Sequence, residues 1–142
     1  MAIVQRRDTI TTLKTQLEIF SDFLADFDIH PLKKDVVRNV NEEAVKSSIR
    51  NLLMTNRGDR LYNSTIGSDI RAILFENSSP AMESVLGDLI KTTIDNYEPR
   101  ARVIEVNVTS DPDSHFVYAT ILFSVINKEE PLALELILNR IR

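Results

Sequence analysis

Two groups of residues in this sequence have the types and spacing that site chemistry requires. Asp26, Asp28 and His30 form the first group, and they would share one face of an extended segment because alternate side chains of a strand point the same way. Carboxylates and imidazole bind metals, but the chain has only two His, and no glycine follows these acids as in a calcium loop. We interpret the trio as a solvated edge and predict no metal site.

Asp95 and Glu98 form the second group, and they would be neighbours if the last turn of a predicted helix stays helical. Glycosidases hold two carboxyl groups about 5 to 9 Å apart across a cleft, which adjacent positions at one helix end do not provide. Nucleophilic hydrolysis needs an activated side chain, and the sequence has no Gly-x-Ser-x-Gly motif and no Cys. The residues therefore predict no catalytic site. Hydrolase activity remains an alternative function for the protein.

The corner Tyr97-Glu98-Pro99-Arg100 lies where a helix is predicted to become a strand. Pro99 fixes its own φ and moves Glu98 out of the helical region, so two opposite charges are held on a stiff turn. Glu98 and Arg100 either pair with each other or face outward for bidentate, charge-assisted hydrogen bonds to a partner. Composition does not decide between these two arrangements.

Composition limits what else the chain can be. It has 142 residues, of which 43% are hydrophobic, and a net charge of −4, which is typical of one globular domain and argues against a nucleic-acid-binding face. The lack of Cys and the count of three Gly exclude disulfides, cysteine zinc sites and a glycine-rich phosphate loop. No apolar run has the length of a signal peptide or of a bilayer span. We expect a cytoplasmic protein with no cofactor and no membrane or nucleic-acid partner.

The first part of the chain, residues 1–40, is predicted to be an extended N-terminal arm because it shows no independent core. Apolar spacings of three and four within 9–27 favour a short helix there, whereas a β-branched run and several acids oppose it. Residues 41–142 contain the signals of a core. We therefore predict an arm, 1–40, followed by a single domain, 41–142.

Three helices are predicted in this domain. The first begins with Asn41 as its N-cap, and a brief second helix has Ser68 as its cap. The long third helix starts with Ser79 as N-cap and Pro80 at its first position. It shows one continuous apolar face and ends before Pro99.

From Arg102 onward the apolar period changes from 3.6 to 2, which predicts three strands. The second strand, His115 to Ile126, is apolar in both phases and is predicted to be central and covered on both faces. The third strand runs from Leu132 to Ile141. The predicted fold class is α+β, with two or three helices packed on an antiparallel sheet of about three C-terminal strands.

Four blocks of residues follow one another along about residues 20–142. They are Glu42–Leu53, Thr55–Arg60, Gly67–Arg71 with Leu74–Glu76, and Asn96–Arg100. In this order they resemble the sheath-initiating baseplate wedge family of contractile phage tails, which includes a baseplate component of type VI secretion systems. Residues 1–19 match no block of the family.

The resemblance implies a structural protein and not an enzyme, although some members of the family carry a lysozyme-like label. In the family the corner formed here by Glu98, Pro99 and Arg100 docks on the helical bundle of the wedge, so these three are the expected protein-binding residues. Replacing either charge by alanine is expected to leave the fold intact and to prevent co-purification with the other wedge proteins.

The resemblance also implies partners and a location. The body of the family is similar to the strand-exchanging part of the sheath protein, so the first sheath ring is expected to build on it. Expected partners are the other wedge proteins and the tail sheath protein, with tube or hub proteins as further contacts. The expected location is the tail baseplate of a virion, assembled in the host bacterial cytoplasm. The alternatives are a peptidoglycan or glycoside hydrolase and a cytoplasmic adaptor that binds through its arm.

Overall fold

A computed structural model describes residues 18–24, 27–32, 34–111, 115–126, 128 and 130–140. The elements are, in order, β1 (Ser21–Phe23), β2 (Arg38–Val40), α1 (Asn41–Met54), α2 (Ile70–Leu74), α3 (Pro80–Tyr97), β3 (Ala101–Ser110), β4 (Phe116–Val125) and β5 (Leu132–Asn139). The predicted α+β class is confirmed, with three helices and an antiparallel C-terminal sheet in the order β3-β4-β5.

The long helix α3 begins as its sequence predicts. The Ser79 hydroxyl accepts a hydrogen bond from the Met82 N–H at 3.1 Å, and Pro80 occupies the first position, where a missing N–H costs nothing. One face of the helix is buried; its members are Met82, Leu86, Ile90, Thr93 and Ile94. This face packs on the inner side of the sheet, so the end of α3 is held where β3 begins.

The core lies between the helices and one face of the sheet. Strand β4 is central, and its Ala119 pairs with Val108 of β3 on one side and Leu136 of β5 on the other. Phe123 of β4 is among the largest fully buried side chains. Because successive side chains of a strand point to opposite faces, every second residue faces the helices, and these inward apolar side chains are buried together.

The prediction that β4 is covered on both faces is wrong. Its outward side chains Phe116 and Tyr118 are 42% and 47% exposed, and Tyr118 lies opposite the exposed Ile137 of β5. All three helices lie N-terminal to the sheet in the sequence, and the core that they share with it includes only the inward phase of β4. Aromatic side chains are compatible with a half-exposed strand face, so an apolar run alone does not establish burial.

Two of the three predicted helix caps are also wrong. The cap position of α1 is Val40, and Asn41 has a positive φ of 49°. The cap position of α2 is Asp69, whereas the buried Ser68 donates its hydroxyl to the Leu53 carbonyl at 2.7 Å. Both polar side chains have partners outside their own helix, which a local capping pattern does not reveal.

The described part of the N-terminal region is not helical. Strand β1 pairs antiparallel with β2, and the partly buried Phe20 packs against the core. The short helix that the sequence left open within 9–27 is not formed at Ser21–Phe23, where the chain is a strand, and residues 1–17, 25 and 26 lie outside the described residues. None of the described helices is long and apolar enough to cross a bilayer.

Candidate protein-docking site

The corner between α3 and β3 is a tight turn built by its own sequence. The Glu98 carbonyl accepts the Ala101 N–H at 3.1 Å, which closes a four-residue turn with Pro99 at its second position, where the proline ring is favoured. The Glu98 N–H still donates to the Ile94 carbonyl of α3 at 2.8 Å. Because Ala101 is buried as the first residue of β3, both ends of the turn are fixed.

Glu98 and Arg100 pair with each other within this turn. Arg100 Nε donates to Glu98 Oε1 at 2.6 Å, and Arg100 Nη2 donates to Glu98 Oε2 at 2.8 Å. The Ser48 hydroxyl of α1 donates to the same Oε2 at 2.5 Å. Glu98 is only 3% exposed, so its carboxylate faces inward, whereas the Arg100 side chain remains 31% exposed. In this corner the Glu98 carboxylate therefore faces the protein interior, and the Arg100 side chain is partly exposed to solvent.

The surroundings of Glu98 favour its charged form. Burial raises the pKa of this carboxyl, but the hydrogen bonds from Arg100 and Ser48 and the positive charge of Arg100 outweigh burial and hold the pKa below the usual 4.5. The pKa of Arg100 is raised above its usual value, chiefly by its hydrogen bonds to Glu98. Both groups are thus ionised at neutral pH.

The N-terminal segment covers one face of Arg100. The Phe20 ring lies with its centroid 5.5 Å from Arg100 Cζ, a cation–π geometry. Asn41 fixes the backbone that carries this ring, because its Oδ1 accepts the N–H of Ile19 at 2.8 Å and its backbone N–H donates to the Phe20 carbonyl at 2.7 Å. Arg100 is therefore oriented by a carboxylate along one edge and by an aromatic ring over one face.

Ser48, Asn41 and Phe20 are parts of the corner that sequence reasoning missed. A usable signal existed for Ser48, which follows Val45 by three residues and so falls on the apolar stripe of α1, where a polar side chain needs a buried partner. For Asn41 the local capping pattern pointed to a different role. Phe20 carried no signal that would connect it to Arg100.

The described members of the other two candidate groups are not arranged as a site. Asp26 of the predicted solvated edge lies outside the described residues, and within the described residues no group of three or more His, Cys, Asp and Glu is arranged to hold a metal ion. Asp95 is exposed while Glu98 is buried in its ion pair. A glycosidase acid needs a raised pKa, and that of Glu98 is lowered.

Solved structures of tail and secretion baseplates share this fold. A protein of Geobacter sulfurreducens that bears the provisional name tail lysozyme has a TM-score of 0.65 and 21% identity, over 71% of this chain and 92% of its own. A chain of the anti-feeding prophage baseplate has a TM-score of 0.60 and 20% identity, over 87% of each chain. A chain of a type VI secretion baseplate complex has a TM-score of 0.58 and 17% identity, over 69% of this chain and 92% of its own. The chain thus has a fold found in baseplates.

The family is established by sequence. Residues 39–128 match the family described as baseplate wedge protein gp25. The gp25 protein of Enterobacteria phage T4 is 31% identical over 99 residues, which are 70% of this chain and 75% of the T4 protein. The chain belongs to the gp25 family of baseplate wedge proteins, which are structural components of contractile tails. The resemblance stated above is confirmed.

Proposed function

We propose that this protein docks on the other wedge proteins through the corner formed by Glu98, Pro99 and Arg100. The observation that carries the proposal is the orientation of Arg100, whose guanidinium is fixed by Glu98 and Phe20 while its outer edge stays exposed. Glu98 uses two of the five N–H donors of the guanidinium, so further donors remain at that edge.

The two charges have different tasks in this docking. Glu98 is a positioning residue, because its buried carboxylate cannot reach a partner without leaving Ser48 and Arg100. Arg100 and the exposed Pro99 make the contact. A side chain that is already ordered loses little entropy when it binds, which favours a register-setting contact between carboxylate or carbonyl acceptors and Arg100.

Arg100→Ala is expected to weaken binding to the other wedge proteins by at least about thirty-fold, as for a hot-spot arginine. Arg100→Lys keeps the charge but loses the planar fork, so intermediate binding is expected. The measurement is the affinity of each purified variant for a wedge complex lacking this subunit. Arg102→Ala, which removes a neighbouring exposed arginine, is the matched control. Because Arg100→Ala also leaves the buried Glu98 carboxylate without its partner, urea unfolding checks that this variant is folded under the binding conditions. Wild-type affinity of the Arg100→Ala variant would remove the corner from the docking surface.

We also propose that the first sheath ring builds on β5. Strand β5 is an edge of the described C-terminal sheet, and an edge strand offers unpaired backbone groups to an added strand. A groove of about 240 Å³ runs beside it; its apolar lining includes Leu53, Met54, Leu74, Phe75 and Ile137. A strand of the sheath protein would pair with β5 and place apolar side chains in this groove.

Ile137→Asp is expected to abolish sheath growth on assembled wedges and to leave wedge assembly unchanged. The aspartate would place a charge in the apolar groove, while the exposed position of Ile137 spares the core. Ala133→Asp on the same outward face of β5, away from the groove, is the control. Sheath length is counted by electron microscopy, and sheaths of normal number on the Ile137→Asp wedges would contradict the role of β5.

We further propose that the protein is not an enzyme and that its baseplate assembles in the host bacterial cytoplasm. The inward, ion-paired Glu98 with a lowered pKa supports a structural role for the carboxylate. A peptidoglycan turnover assay tests the proposal that the protein is not an enzyme. Turnover by the wild-type protein that is lost in Glu98→Gln would favour the hydrolase instead.

A further inference from the structure

The loop between α1 and α2 carries two large apolar side chains that make little contact with the protein. Leu61 is 95% exposed, and the neighbouring Tyr62 is fully exposed. Single exposed apolar residues are common, but two adjacent ones at the tip of a loop form a continuous apolar projection. We refer to Leu61 and Tyr62 together as the knob.

The knob stands on a loop whose two ends are fixed. Near its start, the Gly58 N–H donates to the Ser64 carbonyl at 2.9 Å, which closes the tip. Near its end, the Ser68 N–H donates to the Thr55 carbonyl at 2.9 Å, and the Tyr97 hydroxyl of α3 donates to the Thr65 carbonyl at 2.7 Å. A projection on a fixed loop loses little conformational freedom when it is bound, which favours binding.

The loop and the docking corner lie side by side. A cavity of about 230 Å³ is bordered by Arg60 of the loop and by Tyr97 and Glu98 at the end of α3. The hydrogen bond from Tyr97 to the loop ties the same helix end to the base of the knob. A surface that receives Arg100 can therefore extend to the knob.

The loop around the knob carries charges of both signs, with Asp59 between Arg57 and Arg60 in the sequence. Arg57 is paired with Asp69 at 3.5 Å, whereas Arg60 has no ion-pair partner in the described part of the chain. The knob and the adjacent Arg60 have residue types that suit a protein interface. Tyrosine and arginine are enriched among the interface residues that dominate affinity. An anionic membrane is the less suitable occupant, because the whole chain carries a net charge of −4.

We propose that the knob is a second docking element that inserts into an apolar pocket bordered by carboxylates on another protein. The inference rests on the proposed function in one respect, that the protein which receives Arg100 also supplies this pocket. The apolar pocket would bury Leu61 and the tyrosine ring, and a carboxylate at its border would pair with Arg60. Within the described part of this chain, Leu61 and Tyr62 remain exposed and Arg60 forms no ion pair.

The test is a double variant, Leu61→Ser with Tyr62→Ser, compared with the exposed Val85→Ser on α3 as control. The probe is the complex of the other wedge proteins, purified without this subunit. The double variant is expected to bind at least about thirty-fold more weakly than the wild type, with an unchanged unfolding midpoint because the removed side chains are exposed. Arg60→Glu is expected to weaken binding and to reduce the loss of affinity that added salt causes.

A photo-cross-linking amino acid at position 62 identifies the pocket. Cross-links from the assembled wedge to an apolar segment flanked by Asp or Glu support the proposal. If Arg100→Ala weakens binding and the knob variants bind as the wild type does, the knob proposal fails and the proposed function stands. If neither weakens binding, both fail. Knob-dependent binding to vesicles of phosphatidylglycerol and phosphatidylcholine, without an effect on wedge binding, would overturn the proposal in favour of a membrane.

Discussion

Replacing Glu98 by alanine is expected to lower the free energy of unfolding by about 3 kcal/mol. The substitution leaves the Arg100 guanidinium and the Ser48 hydroxyl without their acceptor, and Glu98 is only 3% exposed. Breaking a buried pair from one side costs about 3 to 5 kcal/mol, and the partial exposure of Arg100 places this case at the lower end. The expectation from sequence that this variant keeps an intact fold is replaced by a measurable loss of stability.

Urea unfolding measures this loss, and a surface ion pair supplies the control. Glu43 and Lys46 on α1 are 3.0 Å apart, with the Glu43 side chain 65% exposed. Glu43→Ala is therefore expected to change the free energy of unfolding by less than about 1 kcal/mol. Equal effects of the two alanine substitutions would show that burial of Glu98 contributes nothing to stability.

The acid dependence of stability follows from the lowered pKa of Glu98. The unfolded chain has the usual value of 4.5, so between that pH and the folded pKa the unfolded state binds more protons. The stabilisation is complete above pH 4.5 and is lost as the pH falls through the folded value. The stability difference between the wild type and Glu98→Gln isolates this effect, since the pKa of Glu83 is also lowered, by its hydrogen bonds with Ser110. A difference that does not shrink in acid would contradict the assignment.

The elements of the fold that could be predicted from the sequence are those with local signals. The start of α3 is specified by Ser79 and Pro80, and its buried face by spacings of three and four. The three C-terminal strands follow from a period of two, although that period did not show which face of β4 is covered. Which face is buried depends on the elements that pack against the sheet, and the residue pattern of a single strand carries no information about them.

The docking corner depends on contacts between residues that are far apart in the sequence. The turn itself follows from Pro99, but Ser48 and Glu98 are 50 residues apart in sequence, and Ile19 and Asn41 are 22 apart. Contacts of this kind form only when α1, α3 and the N-terminal segment are brought together by the core. The direction of the two charges, inward for Glu98 and outward for Arg100, is therefore a property of the fold and not of the motif.

Gly67→Ala is expected to destabilise the protein by about 3 kcal/mol and to weaken docking through the knob. Gly67 has a φ of +137°, and a Cβ there would lie 2.7 Å from the Asn56 carbonyl carbon and 2.8 Å from the Thr55 oxygen. Both are backbone atoms, and a hydrogen bond from Ser68 and a parallel bridge to Asn56 fix them. The chain must therefore open where the loop that carries Leu61 and Tyr62 returns to α2.

Gly58→Ala in the same loop is the matched control for this prediction. Gly58 also has a positive φ, +95°, but a Cβ there would meet nothing within 4 Å. Only the backbone conformation is strained, so a loss of about 1 kcal/mol is expected. Urea unfolding and affinity for the wedge complex are measured on both variants. A Gly67→Ala variant that is much less stable but binds normally would show that docking does not need a fixed loop, whereas equal stability of the two variants would refute the clash itself.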